Sequence, residues 1–374
     1  MVRPERILIV NPFGIGDVLF TTPLVRAVRQ AFPQAYLGFL CNRRTEQILR
    51  HNPHLDELFV YERDELVRLW RLSTRWWMGA LGGLLGRIRR SRFVLVIDLS
   101  LGERYSFLLM ALGIPRRVGF NYRRRGRFLT ESMPIEGYHG VHVVEYYRQL
   151  LHFLGIRTGD ASLQLALDEE DRQWAEAWLR AHGGDQGRLL VGMVPAGGVS
   201  WGIGAPFRRW SFEGFAAVGD ALAERFGARV LLFGESSDRA TCQTVAGLMR
   251  HAPVDLSGQT DLGQFVSLLA RMDLVICNDG GPLHLAVSQR VKTVSIFGPV
   301  DPRVYGPYPP NDARHRVLYS AQLLCRPCYH QFRLPPCPYE RACLTSITVD
   351  DVVQACEAIV MPQGASAGAG HLAR

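Results

Sequence analysis

The chain has 374 residues, 47% of them hydrophobic, which suits two domains of ordinary size and exceeds the needs of one doubly wound sheet. With 43 basic and 35 acidic residues the net charge is +8, and Lys292 is the only lysine, so fixed positive charge must come from arginine, which binds oxyanions bidentately. The longest nearly uncharged run, Trp76 to Gly86, is too short to span a bilayer, and no recognition motif for nucleic acid accompanies the basic residues.

Met1 to Arg6 leads straight into the first apolar run, so no secretory leader is expected. Ile7 to Val10 has a buried-strand pattern, Gly14 and Gly16 mark a tight turn after it, and an amphipathic helix runs on to Arg29. This is half of a βαβ unit, and ligands in such sheets bind beyond the carboxyl ends of the strands. The turn has no third glycine for a dinucleotide fingerprint and no Gly-Lys-Ser/Thr ending for a P-loop. What remains is Asp17 at a helix start, either an N-cap or a general base aimed at a cleft.

Strands are expected at 35–41, 57–61, 93–99 and 117–120, with helices at 45–50, 106–112 and 141–154 between and after them. Trp76 to Gly86 reads as a core helix, a mobile loop or an interfacial segment with Trp76 and Trp77 at headgroup level. Arginines cluster at positions 87, 89, 90 and 92, and again at 116, 117, 123, 124, 125 and 127, which suits an anionic membrane surface, an acidic substrate or a solvated face. The pattern breaks between Thr158 and Asp171, where a domain junction is expected.

The second half repeats the plan. Strands at 189–194, 229–233, 254–256, 274–277 and 293–297 alternate with helices at 169–181, 212–226, 240–250 and 262–270, and a last helix covers 349–359. The expected domains are 1–167 and 168–361, with a low-complexity, disordered tail at 362–374. Asn278-Asp279-Gly280-Gly281-Pro282-Leu283-His284 sits where a strand turns into a helix, with Pro282 expected at the first helical position. Backbone N–H groups and the positive end of that helix suit a diphosphate.

The chain resembles the ADP-heptose:lipopolysaccharide heptosyltransferases, glycosyltransferase family nine. The resemblance is carried by GIGDVLFTTP near the start, NDGGPLHLA, SIFGPVDP with YGP, and RRW before a helix, together spanning Arg6 to Pro307. It implies a GT-B fold, two facing doubly wound Rossmann-like domains with an interdomain cleft, the first binding acceptor and the second a nucleotide sugar. It makes Asp17 the catalytic base, counts Gly16 beside it among the donor-binding residues, and places the donor diphosphate at Asp279, Gly280, Gly281, Pro282 and His284. Arg208 and Arg209 fall on the basic position before Trp210, Arg209 matching better by spacing, and Glu235 or Asp238 falls on an acidic position near the donor ribose. The 195–207 loop is longer and richer in glycine than the family pattern, and Gly280 replaces a hydroxyl residue.

The function so implied is an inverting, metal-independent transfer of a sugar, heptose from an ADP-sugar, to a lipid-linked or lipopolysaccharide-core glycan, with no cofactor, at the cytoplasmic face of the inner membrane. Asp17 takes the acceptor proton while Arg209 and backbone N–H groups meet the charge on the leaving diphosphate. No Asp-x-Asp pair closes a strand to hold a metal. The alternatives are a nucleotide-sugar epimerase on the same plan and a non-catalytic nucleotide-sugar-binding protein. Cys41, Cys242, Cys277 and Cys356 read as reduced core residues, whereas Cys325, Cys328, Cys337 and Cys343 form a C-x2-C-x8-C-x5-C segment open to a structural zinc, a disulfide or free thiols.

Overall fold

A computed structural model describes residues 4–62, 68, 71–184 and 187–361. The tail expected to be disordered, 362–374, lies outside the described residues, as does the Trp77 side chain. The chain divides into two units between Ala166 and Leu167.

The first unit holds a six-stranded parallel sheet of β1 (Arg6–Val10), β2 (Tyr36–Cys41), β3 (Glu57–Val60), β4 (Leu95–Asp98), β5 (Arg116–Tyr122) and β6 (Glu131–Ile135), in the order β3-β2-β1-β4-β5-β6. The second repeats the topology with β7 (Leu190–Val194), β8 (Arg229–Leu232), β9 (Val254–Asp255), β10 (Leu274–Asn278), β11 (Thr293–Ile296) and β12 (His315–Leu318), in the order β12-β11-β10-β7-β8-β9. In each sheet the order reverses once, between β1 and β4 and between β7 and β10. Crevices at such reversals are where doubly wound sheets bind ligands.

Both faces of the central strands are covered, which is why they read as continuous apolar runs. Ile7 to Val10 and Leu274 to Cys277 are wholly buried. The register pairs Val10 with Asp98 and Cys277 with Val194, so the carboxyl ends flanking each reversal are level with each other. Close approach explains Gly119 in β5, where a Cβ would stand 2.4 Å from the Asp98 carbonyl oxygen.

Two strands and one long helix differ from the expectation. β6 carries Pro134 and little apolar surface, and it is tolerated because it is an edge strand. β12 is also an edge strand, of four residues. The Trp76–Gly86 run is part of a 17-residue helix, Thr74–Arg90, whose second half is anchored by buried Ile88 and by Leu84 against the core around Phe59 and Phe93. The segment 199–208 is irregular 3-10 structure, broken at Gly202 by a positive φ of 52°.

Candidate functional site

At the reversal point of the first sheet, the turn after β1 is held from two sides. Buried Asn11 donates to the Asp17 carbonyl at 3.1 Å and to the Thr21 hydroxyl at 2.8 Å, and its own oxygen accepts from the Phe13 N–H. Asn42, the N-cap of the next helix, donates to the Pro12 and Phe13 carbonyls at 3.0 and 2.6 Å. Asp17 is not the N-cap of the helix Ile15–Ala31. Gly14 is, and Asp17 is the third helical residue, its carboxylate accepting the Gly14 N–H at 3.3 Å. The helix begins earlier than expected because two small backbone-rich residues, Gly14 and Gly16, let the first turn start directly after Phe13. Half-buried Asp17 thus stands at the positive end of a 17-residue helix, beside Gly16.

A second carboxyl group lies on the same crevice. Asp98 ends β4, is buried, and accepts the Ser100 N–H at 2.9 Å. Burial raises its pKa from 3.8 to about 6, against the opposing pull of Ser100. Nothing in the sequence reading singled it out, although an acid closing the uniformly apolar run FVLVIDL was a visible signal. Tyr138 is also buried nearby; burial pushes its phenol well above its ordinary value, helped by Tyr147 and by the Asp17 charge.

The second sheet's reversal point joins the turn after β7 to the turn after β10. Asn278 ties them together, donating to the Pro195 carbonyl at 2.9 Å and accepting the Trp210 N–H at 2.8 Å. Trp210 is itself fixed in the core and donates from its indole to the Ile347 carbonyl at 3.0 Å. The two arginines before it therefore point differently. Arg208 is buried and forms an ion pair with buried Asp279. Burial raises the Asp279 carboxyl above its ordinary pKa, against the pull of Arg208 and Arg326. Arg209 is only half-buried and straps the glycine turn, donating twice to the Gly197 carbonyl at 3.0 and 2.8 Å and pairing with Asp238 at 3.4 Å. Gly197 and Gly198 have φ of 91° and 80°, a left-handed pair that closes this turn around the guanidinium.

Beyond Asp279 the helix Gly281–Ser288 starts on Gly280, which has φ of 155°. Pro282 is its second residue rather than its first, because Gly280 takes the N-cap and Gly281 opens the helix; proline is still tolerated within the first turn. His284 is 3% exposed, on the inner side of that turn. Of the two acids near Arg209, Asp238 is buried and also accepts the Glu235 N–H at 3.2 Å, whereas Glu235 is exposed. Arg326, which sequence reasoning missed, reaches from the cysteine-rich segment to the exit of β11, donating to the Gly298 and Val300 carbonyls at 2.5 and 2.9 Å.

All eight cysteines carry free thiols. Cys41, Cys242, Cys277 and Cys356 are buried, as expected. Burial raises the Cys343 thiol to about 11, with Cys328, Cys337 and Cys325 adding to the shift. Among the described residues, no three His, Cys, Asp or Glu side chains are grouped to hold a metal ion.

Two doubly wound parallel sheets, each with a glycine-bearing turn and a helix start at its reversal point, define an α/β protein of the nucleotide-binding class. Residues 83–333 match the model of glycosyltransferase family 9 (heptosyltransferase), and the chain belongs to that family. It is a glycosyltransferase. Lipopolysaccharide heptosyltransferase 3 of Escherichia coli strain K12 is 23% identical over 358 residues, covering 94% of this chain and 97% of that protein. A solved family 9 glycosyltransferase from Veillonella parvula superposes with a TM-score of 0.80 at 26% identity, covering 95% of this chain and 97% of the other. The E. coli heptosyltransferase WaaC, solved with ADP, gives a TM-score of 0.70 at 20% identity over 94% and 99% of the two chains. The expected GT-B fold is thereby borne out.

Proposed function

We propose that this glycosyltransferase moves a heptose from an ADP-activated donor to a lipopolysaccharide-core or related lipid-linked glycan, inverting the anomeric centre. The observation that carries this reading is that the residues matching the family pattern stand at the two reversal points: Asp17 after β1, and Asn278 to His284 with Arg209 beside β7 and β10. The family's name and the activities of its relatives supply the sugar and the acceptor class.

In the proposed step the acceptor hydroxyl loses its proton to the Asp17 carboxylate as its oxygen attacks the anomeric carbon from the face opposite the diphosphate. The bond from that carbon to the diphosphate oxygen breaks, and negative charge grows on the leaving group. Arg209 and the N–H groups at the start of the Gly281–Ser288 helix stabilise that charge where it develops. Arg209 suits this task better than Arg208, whose guanidinium is committed to Asp279 in the interior. Arg208, Asp279 and His284 then act by holding the turn that presents Gly280 and Gly281. Exposed Glu235 suits the donor ribose, and buried Asp238 orients Arg209. This account uses arginine and backbone N–H groups for charge neutralisation and needs no metal.

Among the described residues no helix is long and apolar enough to cross a membrane. A lipid-linked acceptor therefore implies contact with a bilayer surface, proposed as the cytoplasmic face of the inner membrane. The test is turnover of ADP-heptose with and without a core-glycan acceptor. Transfer of the heptose to the acceptor supports the reading; conversion of the donor alone, without acceptor, overturns it.

A further inference from the structure

The geometry points to the first half of the Thr74–Arg90 helix as a membrane-insertion surface that seats the carboxyl edge of the first sheet on an anionic lipid bilayer. This rests on the proposal above that the acceptor is lipid-linked.

The placement follows from lengths. A 17-residue helix is about 25 Å long, whereas β2 and β3, with six and four residues, span about 13 to 20 Å. The helix runs back from the carboxyl end of β3 to the start of β4, so its last turns lie beside the amino ends of the strands. They are pinned there by buried Ile88 and by the ion pair of Arg87 with Glu57, the first residue of β3, at 2.7 Å. With its last turns pinned at the amino ends, this longer helix directs its first turns toward the carboxyl edge, the edge that carries Asp17. Exposure agrees: Leu72, Trp76 and Met78 are 73%, 72% and 56% exposed, while Leu84 and Ile88 are packed.

Two large apolar side chains in the first turns of the helix, with Leu72 just before its N-cap Ser73, are costly in water and favourable at an interface, where tryptophan sits at headgroup level. The charge around them selects the kind of surface. From Arg68 to Arg92 the sequence contains seven arginines and no acidic residue. Arg68, Arg71 and Arg75 flank the apolar group and are exposed. The same carboxyl edge carries exposed Arg43 and Arg44 after β2 and exposed Arg123, Arg124 and Arg125 after β5. Apolar anchors ringed by fixed cations fit anionic headgroups over acyl chains. Seated this way, the edge bearing Asp17 faces the layer from which a lipid-linked acceptor is presented.

The experiment uses the full chain in co-sedimentation with vesicles of phosphatidylethanolamine and phosphatidylglycerol, against vesicles of phosphatidylcholine alone. Binding to the anionic vesicles should exceed binding to the neutral ones and fall as salt shortens the screening length. Leu72→Ser with Trp76→Ser should weaken anionic partitioning about tenfold or more, since two large apolar side chains lose their buried environment. Arg89→Gln with Arg90→Gln, at the other end of the helix, should change it by less than about twofold. The proposal is overturned if neutral and anionic vesicles bind equally, if the Leu72/Trp76 variant binds like wild type, or if the Arg89/Arg90 variant loses as much. Transfer to a delipidated, water-soluble acceptor separates this from the functional reading. The Leu72/Trp76 variant should retain wild-type turnover there, with wild-type melting. Absence of transfer by the wild type would sink the transferase substrate assignment, while the vesicle result would still judge the surface.

Discussion

Replacing Asp17 by Asn separates the structural and chemical duties of this acid. The amide oxygen of Asn can accept the Gly14 N–H as the carboxylate does at 3.3 Å, and the turn is held independently by Asn11 and Asn42. What folding loses is one negative charge in the first turn of the Ile15–Ala31 helix, worth about 0.3 to 1 kcal/mol for a group at this position. What the reaction loses is its proton acceptor, about 10²- to 10⁴-fold in rate, or about 3 to 5 kcal/mol of barrier. The chemical effect should exceed the structural one several times over. Initial rates at saturating donor and acceptor, a thermal melt and donor affinity by calorimetry would be measured on the same preparation. The expected result is a melting temperature within a few degrees of wild type, unchanged donor affinity and turnover reduced at least a hundredfold. Turnover within about threefold of wild type would show that Asp17 only accepts the Gly14 N–H at the helix start, and the mechanism would be wrong.

Arg209→Ala should weaken ADP binding by about tenfold to a hundredfold, the range for a lost charge-assisted hydrogen bond, and should lower turnover as well. An unchanged ADP dissociation constant would remove Arg209 from the donor site. Asp279→Ala strands the buried Arg208 guanidinium and should cost about 3 to 5 kcal/mol in urea denaturation, because breaking a buried pair leaves one uncompensated charge. Loss of less than about 1 kcal/mol would mean that solvent reaches the pair. Asp98→Asn should stabilise the protein at neutral pH and not in acid. With its pKa raised from 3.8 to about 6, Asp98 is protonated in both states below the lower value and must be charged in the interior above the higher one, a difference of about 3 kcal/mol. Wild-type stability attributable to this group is therefore full at low pH and lost as pH rises through that window. A stability difference between variant and wild type that is the same at about pH 3.5 and about pH 7.5 would refute the raised pKa.

Much of this molecule was legible one residue at a time. The strands β1, β4, β7 and β10 announce themselves because both their faces are covered, so each carries a continuous apolar run, broken only by the polar residue at one end of β1, β4 and β10; the turns at Gly14 and Gly280 announce themselves because glycine marks a chain reversal. Two of the four edge strands escaped: β6 and β12 bury little, and neither alternation nor a continuous apolar run marks them. The role of each acid and each arginine at the site was not legible either. Arg208 and Arg209 are chemically identical neighbours, and only the anchoring of Trp210 by Asn278 and Ile347 turns one inward to Asp279 and the other onto Gly197. Asp98 looked like the end of a strand; its raised pKa comes from burial supplied by elements far away in the chain.

The sequence by itself determined the two-unit α/β plan, the reversal-point turns and the family, because periodicity and glycine placement are local properties that each segment carries wherever it packs. Only the tertiary structure decided that Asp17 is the third residue of its helix, that Asp279 is spent on Arg208, that Glu235 rather than Asp238 is exposed, and that Trp76 and Met78 stay exposed on a helix longer than its strands. Those are questions of desolvation, partnership and relative length, and they are set by neighbours distant in sequence.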